Sequence, residues 1–253
     1  DFAALQKQTG WAEEEDGLFW RTMDTWLANV EHFDIYGGEP FLSKPHFALL
    51  ERSVRQGFSR RQTLHYNTNG TIFPERIVKE VWPKFKSVNV MFSIDGVGAK
   101  FEYQRFPAVW EEVEDNIAKF MKYRYLNMNI CFTVNAMNVW DLPEFHAWAR
   151  KIKLPFWINY LYGPRHYRAQ VFSSAAKRRI EQRLLSMPKD TDFKMQILPL
   201  VKFIWDQDFS DQDRGHLLEQ LRIYDQKRAQ SFSDVFPEVL ELLSMREDSG
   251  IAP

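Results

Sequence analysis

The stretch Ile35-Tyr36-Gly37-Gly38-Glu39-Pro40 ends an apolar run in two glycines, a carboxylate and a proline, and Ser43-Lys44-Pro45 follows with the marks of a helix start. Glycines at a strand end let a ligand approach the main chain where a side chain would block it. Glu39 adds a negative group beside the exposed backbone donors and acceptors. In parallel α/β sheets this is where small molecules bind. Taken alone, the same residues also read as a strand-to-helix turn whose carboxylate is simply solvated.

Outward from this turn, β-rich runs alternate with amphipathic helical segments. The runs are His32 to Tyr36, Thr63 to Asn67, Ser87 to Ile94, Met128 to Asn135 and Phe156 to Leu161. Such spacing predicts repeated βα units and five parallel strands. Ser43 can cap a helix with Pro45 in its first turn, and Asp141 with Glu144 three residues on has the form of a capping box around Pro143. Val113, Ile117, Phe120 and Met121 fall on one helical stripe, which predicts a core face, with Glu111, Glu112, Glu114 and Lys122 on the wet side.

The strands carry a second alternation. Val88, Val90, Phe92 and Ile94 interleave with Asn89, Met91, Ser93 and Asp95, and Ile130, Phe132 and Val134 interleave with Asn129, Cys131, Thr133 and Asn135. One face of such a strand packs under helices, so the polar set faces the interior of a barrel or curved sheet. Polar groups also gather toward the strand ends, at Gly38 and Glu39, Asn67 and Asn69, Ser93 and Asp95, and Asn135. One shared site at the C-terminal ends is the economical inference, although Asn69-Gly70 and Asp95-Gly96 are also common turn pairs. Beyond Gly163 the texture becomes helical, over Ser173 to Met187, about Phe193 to Asp208, Gln212 to Gln230 and Phe236 to Met245.

Length and composition bound these expectations. With 253 residues, 45% of them hydrophobic and 26% charged, the chain can bury a core, and disorder is not its default. The balance of 33 basic against 34 acidic residues gives a net charge of -1, so no global field favours nucleic acid or an anionic membrane. No apolar run reaches the length of a membrane span, and the expected location is the cytoplasm. The six histidines have no metal-ligand spacing, and there is no phosphate-binding glycine loop or nucleophile elbow. Cys131 is the single cysteine and sits in mid-strand, poorly placed for a catalytic thiol.

The motifs Gly37-Gly38-Glu39-Pro40, Tyr66-Asn67-Thr68-Asn69-Gly70, Ser93-Ile94-Asp95-Gly96 and Val134-Asn135 with Asn138, in that order on successive strand ends, resemble the radical S-adenosylmethionine (SAM) superfamily. The resemblance covers roughly residues 15 to 165. It implies an α/β fold, a partial (β/α)6 TIM-like barrel over residues 1–165 with a helical C-terminal extension over 166–253. It also implies SAM as cofactor. Gly37, Gly38, Glu39 and Pro40 would hold the methionyl amino group, Asn67 and Asn69 would lie near the methionine part, Ser93 and Asp95 would reach the carboxylate or ribose, and Asn135 would sit near the ribose or adenine. An electron donor and a substrate, whether peptide, RNA or small molecule, would be the partners. Trp157, Tyr160 and Tyr162, with Arg165, His166 and Arg168 beyond them, would suit an aromatic or anionic group of that substrate. Asp225 to Pro237, with Arg228, reads as helix packing.

One departure is large. The family holds a [4Fe-4S] cluster on three cysteines spaced Cys-x3-Cys-x2-Cys, and this chain has no such set. Two expectations follow from the resemblance. The first strand and its cluster loop lie upstream of Asp1, or the chain is a degenerate relative that acts as a non-catalytic SAM-binding or scaffold module.

Overall fold

The computed structural model describes residues 18–191, 193–207 and 209–247. Its five strands are β1 (His32–Ile35), β2 (Thr63–Thr68), β3 (Ser87–Ser93), β4 (Leu126–Val134) and β5 (Phe156–Tyr160), in one sheet of order β1-β2-β3-β4-β5. The predicted strands therefore form, each within two residues of its expected ends. β1 with β2, β2 with β3, and β4 with β5 run parallel. A strictly sequential order of parallel strands is single winding, because right-handed crossovers of one sense carry every intervening helix to the same face. This is an α/β fold with helices at the C-terminus, built on half of the alternation that the sequence displays.

Two compact units divide the chain, Asp1–Phe92 with Glu112–Asn129, and Ser93–Glu111 with Ile130–Pro253. In the first, Leu64, Tyr66 and Thr68 of β2 and Val88, Val90 and Phe92 of β3 are buried, while Thr63, His65, Asn67, Asn89 and Met91 between them are half-buried. Register pairs His65 with Asn89 and Asn67 with Met91, so the polar residues share one face. On the other face Phe41, Tyr66, Trp82 and Phe120 pack ring on ring, with Tyr66 and Trp82 4.9 Å apart at their centroids. Helix Trp110–Phe120 supplies Val113, Ile117 and Phe120 to this core as its stripe predicts. Met121 is the exception and is 37% exposed, because the helix ends at Phe120 and the chain turns before the stripe can continue.

Helix Lys44–Arg55 starts as expected, with the Ser43 hydroxyl accepting from the His46 amide and Pro45 in the first turn. His46 is carried against the aromatic core. Trp82 Nε1 donates to the Tyr66 hydroxyl (3.2 Å), and that hydroxyl shares a hydrogen bond with His46 Nε2 at 2.7 Å. Burial lowers the His46 pKa from 6.5 to about 4. The unfolded chain therefore binds the proton more readily, and stability falls as pH drops from about 6.5 toward 4, by at most about 1.4 kcal/mol per pH unit. His46→Gln, which keeps an acceptor but cannot titrate, is expected to flatten this acid limb. Urea midpoints across that range check it, and parallel pH profiles would remove His46 from the account.

In the second unit Ile130, Phe132 and Val134 of β4 and Phe156 and Ile158 of β5 are buried, and Cys131, Thr133, Trp157 and Asn159 alternate with them. Register pairs Cys131 with Trp157 and Thr133 with Asn159. The expected helices of the extension appear as Ser174–Leu185, Leu198–Trp205 preceded by a π-turn over Phe193–Ile197, Asp211–Arg228, Phe232–Val235 and Pro237–Ser244; Asp208 lies outside the described residues.

The capping box at Asp141 does not form. Asp141 stands at the N-cap of helix Leu142–Ile152 but makes no capping hydrogen bond. Its Oδ1 instead takes the Lys100 ammonium at 2.6 Å, and Glu144 reaches Lys100 (3.0 Å) and Arg183 (3.3 Å). A buried carboxylate is better stabilised by a cation than by one amide, and this cation comes from a segment 41 residues away. Among the described residues no helix is long and apolar enough to cross a membrane.

Candidate functional site at the strand ends

In the first unit β1 ends at Ile35, and Gly37 and Gly38 follow with φ of +91° and +52°. Both values lie in the left-handed region that favours glycine, and a Cβ built at either position would meet nothing within 4 Å. The turn is open on its outer side. Glu39 then folds back. Its carboxylate accepts from the Phe41 amide (3.3 Å), from the Thr68 hydroxyl (2.9 Å to each oxygen) and from the Asn69 amide (2.9 Å). Glu39 thus caps the short 3-10 turn Pro40–Leu42 and ties the end of β1 to the end of β2. It is not the solvated carboxylate that the bare turn allows. Pro40 is buried behind it.

The end of β2 is equally occupied, with one exception. Thr68 Oγ1 also accepts from the Gly70 amide, and Asn69 Oδ1 takes both the amide and the hydroxyl of Thr71, at 2.9 and 2.6 Å. Gly70, at φ +77°, brings its backbone so near helix Trp110–Phe120 that an added Cβ would lie 3.1 Å from Val113 Cγ1, and its carbonyl accepts from Asn116. The exception is Asn67, whose Oδ1 is buried and takes no hydrogen bond. A buried acceptor without any partner costs about 1–3 kcal/mol, and Asn67 shares this condition with Asp141 Oδ2, Arg168 Nε, Gln170 Oε1 and Gln230 Oε1.

In the second unit a network surrounds Asp95, which is 7% exposed. Oδ1 accepts from the Thr133 amide (2.8 Å), and Oδ2 takes Arg105 through Nε (2.8 Å) and Nη2. The Asp95 carbonyl accepts from Gln104 (2.9 Å) and Asn138 (3.1 Å). Asn135 Oδ1 accepts from the Met137 amide, and its Nδ2 donates to Gln104 Oε1 (3.1 Å) and the Thr133 carbonyl (3.2 Å). Asn138 Oδ1 accepts from the Asn135 amide. Gly96 lets the start of helix Ala99–Gln104 close in, since an added Cβ would lie 3.2 Å from the backbone of Lys100 and Phe101. Ser93, half-buried, has a hydroxyl with no partner among the described residues. Burial, with the Asp95 charge second, raises the pKa of the Cys131 thiol, which keeps it protonated and unreactive.

Beside Asn135 lies a cavity of about 160 Å3, lined also by Gln104, Met137, Leu161, Tyr167, Tyr224 and Arg228. Arg228 donates to the Tyr103 carbonyl and lies 4.2 Å from the Tyr224 ring centroid, and the hydroxyls of Tyr167 and Tyr224 are 2.6 Å apart. Arg228 does pack helices together, as the sequence suggested, and it also forms part of this wall. Gln104, Arg105 and Tyr224 belong to the site without any signal in the local sequence. The expected aromatic and basic group at the end of β5 packs on the extension: Tyr160 stacks on Phe203 at 4.5 Å, Arg165 pairs with Asp213, and Arg168 bonds Gln207. Trp157 and Tyr162 remain mostly exposed.

These features define an α/β protein of the singly wound parallel class with polar groups concentrated at the strand ends. No protein-family model matches the chain, and no curated protein matches it in sequence. Among solved structures it is similar to native anSMEcpe with bound AdoMet and Cp18Cys peptide, at 18% identity and TM-score 0.48, over 65% of this chain and 49% of that one. It is also similar to native anSMEcpe with bound AdoMet (18%, 0.48, 65% and 48%) and with bound AdoMet and Kp18Cys peptide (19%, 0.47, 64% and 49%). The chain spans about half the length of these structures.

Proposed function

We propose that this chain is the SAM-binding part of a radical SAM enzyme. The observation that carries the reading is Asn67, whose buried Oδ1 takes no hydrogen bond at the end of a parallel strand where its neighbours Thr68 and Asn69 are already bonded. An amino acid's ammonium group is the kind of donor it lacks, and the open left-handed turn at Gly37 and Gly38 leaves the first unit's strand end accessible. In the second unit the free Ser93 hydroxyl and the cavity beside Asn135 are the groups available to a ligand, while Asp95 frames them.

This divides the strand-end motifs by task. Asn67 in the first unit and Ser93 in the second are the groups left for a ligand, whereas Glu39 and Asn69 in the first and Asp95 and Asn135 in the second hold the loops beside them. Bound SAM would supply the hydrogen-abstracting group of the family only after accepting an electron from a reduced [4Fe-4S] cluster. The single Cys131, its thiol kept protonated, does not provide a three-thiolate set, so ligation of a [4Fe-4S] cluster falls to residues outside these 253.

Calorimetry of the pure chain with SAM tests the reading. Binding is expected, and Asn67→Leu should weaken it by at least about tenfold, roughly 1.4 kcal/mol, with the melting temperature unchanged or raised. The mutual saturation of Glu39, Asp95 and Asn135, together with the one cysteine, favours a second reading, a non-catalytic scaffold. Absence of SAM binding would select it. Iron analysis of the protein reconstituted with iron and sulfide separates a SAM-binding enzyme part from a SAM-binding relative without a cluster.

A further inference from the structure

A cleft in the first unit borders the loop that follows β2, and its lysines have no part in the site described above. It encloses about 640 Å3 between the segment after β2 and the last turn of helix Trp110–Phe120. That volume suits a ligand of small-molecule size.

Its charge is one-sided. Lys79, Lys119 and Lys122 line it against a single carboxylate, Glu75, which is already paired with Lys79. Lys119 is oriented by Asn116, whose Oδ1 accepts from its ammonium at 3.1 Å, and Lys122 makes no ion pair among the described residues. Three ammonium groups against one carboxylate leave an excess of two positive charges, the complement of a phosphomonoester dianion. Part of the remaining wall is aromatic, beside Thr71, Ile72 and Asn116. Phe73 and Tyr123 lie 6.2 Å apart with their planes 31° from each other, and Phe73 is braced edge-on by Phe120 at 4.8 Å. A flat ring seated on that surface would gain stacking while the lysines take the charge.

We propose that this cleft binds a phosphate-bearing ligand with a planar ring, of the mononucleotide type. The assignment stands apart from the SAM reading: Thr71 and Asn116 of its wall bond Asn69 and Gly70, but the groups that would hold this ligand, the three lysines with Phe73 and Tyr123, are not those that would hold SAM.

Calorimetry of the whole chain with AMP, adenosine and inorganic phosphate tests it. AMP is expected to bind more tightly than either fragment and to weaken as salt is raised. The double variant Lys119→Ala with Lys122→Ala should lose at least about tenfold in AMP affinity, and SAM should neither compete with AMP nor bind the variant differently. Both lysines are exposed, so folding is expected to survive; should the double variant fail to fold, Lys122→Glu gives the same reading. The proposal is overturned by absent AMP binding, by equal affinity in the variants, by fragments that bind as well as AMP, or by displacement of AMP by SAM.

Discussion

Lys100→Met is expected to cost about 3–5 kcal/mol of stability near neutral pH, because it strands the Asp141 carboxylate in the interior. Asp141 is 5% exposed, Lys100 is its only charged partner within bonding distance among the described residues, and its second oxygen, Oδ2, is buried without any hydrogen bond. Burial dominates this pair. It pushes the Asp141 pKa up to about 6 even though the Lys100 ammonium pulls the other way. The Lys100 ammonium is also opposed by burial, but its bonds to Asp141 and Glu144 win, and its pKa lies above the ordinary value.

The pH dependence of that variant follows from the sign of the Asp141 shift. A carboxyl group whose folded pKa is raised from 3.8 to about 6 binds its proton more tightly in the native state. Its contribution is therefore present below 3.8 and lost as pH rises through about 6. Below that value the group needs no cation, so the penalty of Lys100→Met should shrink on acidification. Urea unfolding of wild type and variant at about pH 8 and about pH 5 measures both, and a penalty that is small at the higher pH or equal at the two would sink the account. Lys100→Met with Asp141→Leu should recover much of the loss, since the pair is then replaced by apolar volume.

Asp95→Ala is expected to cost about 2–4 kcal/mol, through the unpaired Thr133 amide and the released Arg105. The upper figure stays below that for Lys100→Met because the Arg105 side chain is 31% exposed and can turn to water. Asp95→Asn keeps an acceptor for Thr133 and should lose roughly half as much. Denaturant midpoints for the two variants decide the matter. If Asp95→Ala unfolds like wild type, the carboxylate is not the tie that its contacts indicate. On the proposed SAM-binding reading, the same substitution is expected to weaken SAM binding by at least about tenfold, here through loss of the loop geometry around Asn135 rather than a lost ligand contact.

Much of the fold could be read from residues in chain order. The alternation in Ser87 to Ile94 and Met128 to Asn135 became the buried and half-buried faces of β3 and β4, because a strand's side-chain period is a local property. Ser43 with Pro45 behaved as written for the same reason, since an N-cap is completed within four residues. Asp141 with Glu144 did not, because a lysine 41 residues upstream competed for the carboxylate. Met121 left its stripe because the helix stopped one residue earlier.

The strand-end motifs divide in the same way. Composition and spacing alone determined that this chain builds parallel βα units with polar groups at their ends and a single cysteine. Which of those polar groups remains available was decided only by tertiary structure. Glu39 is consumed by Thr68 and Asn69 some 30 residues on, and Asp95 by Thr133 at a separation of 38, whereas Asn67 finds no donor. Hydrogen bonds are allotted by distance in space, and the sequence records only distance along the chain.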